Sequence, residues 1–309
     1  MLHLPRRTWP AFWLFLLACA TLHAQQVEAR FKLPKTDYLV HEPIFVTFEI
    51  ENSGPKPVGV FHSSPYGCMS YDFRVNPPAI NWYSCDNTVG SCLGSIRVIA
   101  PGERLQQEIL LQYWIRLEQP GVYEISSLGR IYQDTPNPDP DAPRERPPDV
   151  RANLTVSIHS PESPPQMSML YRPVLENLNS KEEEKRTNAA RIINEVAPPF
   201  LQPTILEMAK DPTKQYFALN GLRKLNSPES RAVLADWAAG FRNTFSSTQE
   251  IAIRYLGKMG DRSHMPLLLR LAKQSENDYL SSQALNAYAQ LGRDEAIPEL
   301  LRILMMFSE

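Results

Sequence analysis

Hydrophobic positions along the chain follow two different periods, and the change falls near residue 160. Over residues 27–158 they alternate. In Ile44-Phe45-Val46-Thr47-Phe48-Glu49-Ile50 the residues Ile44, Val46, Phe48 and Ile50 share one face and Glu49 takes the other, as in a half-buried strand. Asn52-Ser53-Gly54-Pro55 supplies the turn that ends it. Further runs at residues 70–75, 79–83, 95–99, 107–113, 122–131 and 150–158 are separated by Gly, Pro and Asn clusters. About seven short strands in about 130 residues predict an antiparallel β-sandwich. A turn at Asn76-Pro77-Pro78 would fold two of these runs into a hairpin.

Beyond Ser160-Pro161-Glu162-Ser163-Pro164-Pro165, which reads as an extended linker, the period becomes 3.6 and a repeat emerges. Ala189, Ala218, Ala252 and Ala284 start four copies, spaced 29, 34 and 32 residues apart. Four residues on stand Ile193, Leu222, Leu256 and Tyr288; seven on, Val196, Leu225, Met259 and Leu291. At fourteen come Pro203, Ala232, Pro266 and Pro298, at sixteen Ile205, Leu234, Leu268 and Leu300, and at twenty Ala209, Ala238, Ala272 and Leu304. Positions 0, 4 and 7 make one helical stripe, a turn follows, and Pro at fourteen falls in the first turn of a second helix, where its missing N–H costs little. Each helix pair cannot bury its stripe alone, so neighbours must stack. Ser180 with Glu183 reads as a capping box, and Asp211-Pro212 and Ser227-Pro228 as cap-then-Pro starts. By this alignment Ala252 is buried between helices, and Arg254, roughly 200° further around, faces solvent.

The expected organisation is therefore residues 1–24 as a signal peptide, 25–159 as the sandwich, 160–168 as a Pro-rich linker and 169–309 as an α-solenoid. The first segment carries Arg6 and Arg7, an apolar run from Trp9 to Ala20, and Ala24 before polar Gln25-Gln26. This is the order of a secretory signal, too short to span a bilayer comfortably. Leu16-Leu17-Ala18-Cys19 also resembles a lipoprotein signal, which makes Cys19 a candidate lipidation site and the only route to membrane attachment. An exported, periplasmic or secreted protein is expected. In such a compartment one disulfide should form among Cys68, Cys85 and Cys92, either Cys85 with Cys92 or Cys68 with Cys85, leaving one thiol over.

Charge narrows the partners. The 32 Lys+Arg balance 34 Asp+Glu, and from Tyr171 onward the count is 18 against 17, so no basic stripe for nucleic acid exists. The charge run Lys181–Arg186 is a solvated helix face. Candidate chemistry is sparse. Gly90-Ser91-Cys92-Leu93-Gly94 has the spacing of a nucleophile elbow but lacks the strand-then-helix setting that chemistry needs. His62, Cys68, Cys85 and Cys92 stand six or more residues apart, wider than zinc pairs usually are. His264 reads as a surface or capping residue. The pairs Trp82-Tyr83 and Tyr113-Trp114 could offer a glycan platform, but alternation points only one of each pair outward. The Pro-rich stretch at residues 132–149 is a long solvated loop. No catalytic, cofactor-binding or metal-binding residue and no cofactor is expected.

Two resemblances rest on these motifs. Leu33-Pro34-Lys35-Thr36-Asp37-Tyr38 with Glu42-Pro43, Ala100-Pro101-Gly102-Glu103 and Pro120-Gly121-Val122-Tyr123 together resemble bacterial Ig-like domains. The last resembles the corner at which a sandwich Tyr ties down a crossing loop. The helical repeat resembles the HEAT family, in particular its short phycobilisome-lyase-like subclass, over about residues 170–309. That resemblance implies a protein-binding α-solenoid and no lyase activity. The function expected is a non-enzymatic scaffold for a protein partner. The alternatives are an Ig-like ligand-binding or proteinase-inhibitor-like module with the solenoid as spacer, and an enzyme using the Cys68/Cys85/Cys92 region.

Overall fold

The computed structural model describes residues 27–63, 72–81, 94–132, 149–240, 246–274 and 278–306. Cys19, Cys68, Cys85, Cys92, Trp82-Tyr83 and most of the Pro-rich loop lie outside them, as does the signal-like segment. The chain forms two compact units: one of the described residues up to Tyr38 with Ile44–His159, the other of Leu39–Pro43 with Ser160 onward.

The first unit is an antiparallel β-sandwich. Its strands are β1 (Val27–Lys32), β2 (Asp37–Leu39), β3 (Phe45–Asn52), β4 (Val58–Ser63), β5 (Asp72–Asn76), β6 (Ile80–Asn81), β7 (Gly94–Ile99), β8 (Arg104–Leu110), β9 (Ile115–Arg116), β10 (Gly121–Tyr132) and β11 (Asp149–His159). One sheet runs β1-β3-β8, a second β2-β11-β10-β4-β7 with β5 also on β10, and β6 pairs β9. The alternation in β3 buries Val46, Phe48 and Ile50 together with Ile44. Ala152, Leu154, Val156 and Ile158 do the same for β11. Burying each large side chain stabilises the fold by about 1.5–3 kcal/mol. Phe31 of β1 bridges the sheets, stacking on Phe73 of β5 at 5.9 Å between ring centroids.

Polar details fix the corners. The Asn52 side chain is fully buried; it donates to the Lys56 and Ile99 carbonyls and accepts from Gly54 N–H. The turn before β8 needs Gly102, at φ +78°, and Glu103 accepts there from Ala100 N–H. Tyr123 donates its O–H to the Gln119 carbonyl at 2.8 Å, as its Pro-Gly-Val-Tyr setting suggested. On the outer face of the β1-β3-β8 sheet Glu49 stands between Arg30 and Gln106 in register. It accepts from Lys32 at 2.6 Å and from Arg30 and Gln106 as well. These partners hold its carboxyl down at about 2, the hydrogen bonds from Lys32 and Gln106 contributing most.

Two expectations for this unit fail. The strands flanking Asn76-Pro77-Pro78 do not form a hairpin, because β5 pairs β10 while β6 pairs β9. Two adjacent prolines have no N–H to place in a shared ladder. Cys68 and Cys85, the candidate pair placed across that hairpin, lie outside the described residues. Tyr113 and Trp114 lie in and just after a short 3-10 turn rather than a strand, and Trp114 is buried against Phe73 and Tyr113. This pair forms no open platform.

The second unit is an α-solenoid of helices α1 (Pro164–Leu178), α2 (Glu183–Val196), α3 (Gln202–Lys210), α4 (Gln215–Leu225), α5 (Pro228–Ala238), α6 (Ser246–Lys258), α7 (Met265–Gln274), α8 (Asp278–Gly292) and α9 (Ile297–Met306). The repeat maps onto α2/α3, α4/α5, α6/α7 and α8/α9, with α1 ahead of the first pair. All four starting alanines are buried, as are Ile193, Leu222, Leu256 and Tyr288 four residues on. Ile205, Leu234 and Leu268 at position sixteen are fully buried too. Pro203, Pro266 and Pro298 each take the second position of α3, α7 and α9. The second pair replaces that proline with Ala232 because α5 starts early, at Pro228. There the Ser227 hydroxyl accepts from Ser230 N–H.

The helix starts also bring corrections. Pro164 and Pro165 open α1, so the extended stretch ends at Ser163 rather than at residue 168; proline is well tolerated in a first turn. Ser180 accepts from Glu182 N–H two residues on, and α2 begins only at Glu183, so no capping box forms. Asp211 closes a turn through Thr213 N–H and the helix follows at Gln215. The segment Leu39–Pro43 belongs to this unit, with Tyr171 of α1 donating its O–H to the His41 carbonyl at 2.7 Å.

Candidate interaction surface

Numbering each first helix from its alanine makes the surface legible. Positions +3 and +5 face each other between successive first helices. At the first junction Gly221 of α4 meets Asn194 of α2, where an added Cβ would come within 2.4 Å of the Asn194 Oδ1. At the third junction Gly257 of α6 meets Ala287 of α8, where an added Cβ would lie 2.7 Å from the Ala287 Cα. The middle junction is built differently: Arg223 of α4 lies over the ring of Tyr255 of α6, 4.5 Å from its centroid.

A polar network runs alongside. Lys224 and Glu195, both nearly devoid of solvent, pair at 2.9 Å, and Lys224 also donates to the Glu195 carbonyl. Asn220 donates to Glu195 at 2.8 Å and accepts the Tyr255 O–H at 2.6 Å. Burial keeps the Tyr255 phenol above its ordinary value. Further along, Tyr279 of α8 donates to Glu250 of α6 at 2.7 Å, which raises the phenol's value in turn. Arg254 approaches the same Glu250 carboxylate at 3.7 Å with its side chain only 15% exposed. The expectation that Arg254 faces solvent is thus overturned. A first helix is flanked by first helices on both sides, so the sector opposite Ala252 is narrow and Arg254 lies at its edge.

What this face leaves open is a row at positions −5, −2, +2 and +6 of α8 and, on α4, the side chain at −2; at equivalent positions Glu195, Lys224 and Glu250 are buried. Tyr216 of α4 and Tyr279 of α8 stand on it, 64% and 52% exposed. Ser282, Asn286 and Gln290 continue it along α8. The row of second helices is instead occupied by pairing between repeats: Gln202 with Glu229, Arg231 with Asp261, Arg262 with Glu295 and Lys273 with Glu299. His264 lies in the turn before α7 with its side chain 15% exposed, more buried than expected, and burial lowers its value. In the sandwich the outer face of β5-β10-β11 forms a shallow groove of about 470 Å³ lined by Arg74, Asn76, Glu124, Ser126, Asn153 and Thr155.

No group of three or more metal-ligating side chains occurs among the described residues. Sequence reasoning found the alanines and prolines of the repeat but missed Tyr216, Asn220, Glu250 and Tyr279. Their signal was available: polar or tyrosine residues recur at −5, −2 and +2 in every copy.

Comparisons with known proteins bear on the solenoid. The HEAT-repeat family profile matches residues 237–305, from the end of α5 into α9. Comparison with curated proteins gives no match. Among solved structures, one similarity is to the CARDB domain of the PF1109 protein of Pyrococcus furiosus, solved in complex with di-metal ions. It has 17% identity, covers 46% of this chain and 99% of that one, and has a TM-score of 0.25. Another is to E. coli alpha-2-macroglobulin in its native conformation, at 11% identity and a TM-score of 0.27, covering 89% of this chain and 22% of that one. This chain thus spans about a fifth of that macroglobulin, and at such TM-scores neither likeness carries a reading of function. The protein joins an N-terminal antiparallel β-sandwich to a HEAT-like helical solenoid.

Proposed function

We propose that this is an exported, non-enzymatic scaffold that binds another protein through the first-helix face of its solenoid. The observation that carries this reading is the exposure of Tyr216 on α4 and of Tyr279, with Ser282, Asn286 and Gln290, on α8. Rigid aromatic side chains half or more exposed on a packed scaffold are the side chains from which protein interfaces draw most of their affinity. The short period of 29–34 residues supports kinship with the phycobilisome-lyase-like HEAT subclass, with no lyase activity carried over. Export rests on the charged-apolar-small order of residues 1–24, and with it the disulfide among Cys68, Cys85 and Cys92. N-terminal sequencing of protein recovered outside the cytoplasm, with a count of titratable thiols, tests both; intact Met1 or three free thiols would refute them.

The binding test uses full-length protein as bait in the exported fraction of its source cell. Tyr216→Ala and Asn286→Arg should abolish capture of the partner while leaving the thermal melt unchanged. A second reading places binding on the sandwich and is favoured by the groove at Arg74 and Glu124. Capture that survives both solenoid changes and is lost in Arg74→Glu would establish that reading instead.

A further inference from the structure

The two sheets of the sandwich use their outer polar side chains in opposite ways. On β1-β3-β8 the charges are spent on one another: Arg30 and Lys32 pair with Glu49, and Arg30 and Arg104 with Glu51. On the outer face of β5-β10-β11 six polar side chains stand in two rows. Register places Arg74, Ser126 and Asn153 side by side and, two residues along, Asn76, Glu124 and Thr155. All but the half-buried Ser126 are exposed. Among the described residues none of the six is hydrogen-bonded or ion-paired to another side chain, although the diagonal from Arg74 to Glu124 is within reach of a long side chain. The two rows wall the groove of about 470 Å³, and Val75, Ile125 and Leu154 form its floor between them. Over two strand spacings the groove extends about 10 Å across the strands, against about 7 Å from row to row.

We propose that this groove binds a neutral linear glycan, with one sugar ring over each of the three strands. Strands repeat every roughly 4.7–4.9 Å, close to the length that one hexose adds to such a chain. The functional groups match as well. Asn76, Asn153, Ser126 and Thr155 each donate and accept, as sugar hydroxyls do, while Arg74 donates and Glu124 accepts. One cation set against one anion leaves no net charge to attract a polyanion or a polycation. Among the described residues lining the groove none is aromatic, and aromatic anchors are what a protein partner would need there. Because none of the six is bonded internally, binding breaks no existing pair. This site is separate from the first-helix face, and it gives the groove a different occupant from the protein of the second reading above.

Isothermal titration of the full chain with chitotriose, cellotriose and maltotriose, each up to about 10 mM, tests it. At least one should bind. Its affinity should climb from the monosaccharide to the trisaccharide and level off at the tetrasaccharide, since the groove spans three strands. Asn153→Ala and Glu124→Ala should each weaken binding about five- to tenfold, the factor that one hydrogen bond is worth. Their melts should not change, because both side chains are exposed. Arg104→Ala, on the other sheet, should leave the affinity as it is. A chain that binds none of the three sugars overturns the proposal, as does binding that survives both Asn153→Ala and Glu124→Ala. Tighter binding of polygalacturonate than of any neutral glycan overturns it too. If no sugar binds and Arg74→Glu abolishes capture of a protein partner, the groove belongs to that partner instead.

Discussion

The Arg223 guanidinium lies over the Tyr255 ring, 4.5 Å from its centroid, at the one junction between first helices that glycine does not close. Tyr255 also donates to Asn220, which in turn serves Glu195. The contact between α4 and α6 therefore depends on side chains rather than on backbone approach.

Tyr255→Phe should keep the stacked pair and lose only the hydrogen bond to Asn220, costing about 1 kcal/mol. Tyr255→Leu should cost more. A double-mutant cycle with Arg223→Ala should give a coupling of about 0.5–2 kcal/mol by urea unfolding. Additive effects within about 0.3 kcal/mol would mean the stack contributes nothing specific.

Ala252→Arg should be the most damaging single change in α6. The alanine has no exposed surface, and overpacking of about 1–3 kcal/mol is joined by several more for an unpaired charge. Arg254→Ala should cost about 1–3 kcal/mol, because it leaves the buried Glu250 with a weaker set of partners. Thermal melts that rank Arg254→Ala above Ala252→Arg would refute the helix phase.

Lys224→Met should destabilise by about 3–5 kcal/mol, since it strands the Glu195 carboxylate away from water. Replacing Glu195 by Met as well should recover much of that loss. A double variant as unstable as the sum of the single ones would show that the two side chains are not coupled and that the cost of Lys224→Met does not come from a stranded Glu195.

Glu49 supplies an acid-sensitive element in the sandwich. Its carboxyl is held at about 2 against an ordinary 4.5, so the unfolded chain binds that proton more readily than the folded one. The resulting stability is complete above 4.5 and is lost as pH falls toward 2. Denaturation midpoints of the parent and Glu49→Gln should differ at neutral pH and converge across that window. A difference that does not vary with pH would assign the effect to packing alone.

How far the chain could be read in advance follows from the physics of each element. Alternation exposed β3, β10 and β11, because each keeps one face in the core along most of its length. It missed β1, whose outward Arg30 and Lys32 look like a solvated tail until Glu49 is placed between them. It missed β2 and β9, which are two or three residues long and carry no measurable period, and it missed β4, whereas β6 falls within the expected run at 79–83. The solenoid was more legible, since Ala189, Ala218, Ala252 and Ala284 repeat with their companions. Local capping was less so. Ser227 caps as its sequence suggests, whereas Ser180 and Asp211 spend their side chains on turns ahead of the helix. The candidate surface was hidden for another reason: residues such as Asn220 and Glu250 look solvated singly and become structural only when the neighbouring helix brings Tyr255 or Tyr279.

The three first-helix junctions are Asn194 on Gly221, Arg223 on Tyr255 and Gly257 on Ala287. Each works only with its own counterpart, so the helix pairs are not interchangeable units. Exchanging the second and third pairs would set Asn194 against Tyr255 and Gly257 against Gly221, one crowded and one hollow. It would also lay Arg223 on Ala287 with no ring beneath it. The order of the pairs is written into two positions of each helix, and an added copy of any pair could be accommodated only with a matching change in its neighbour.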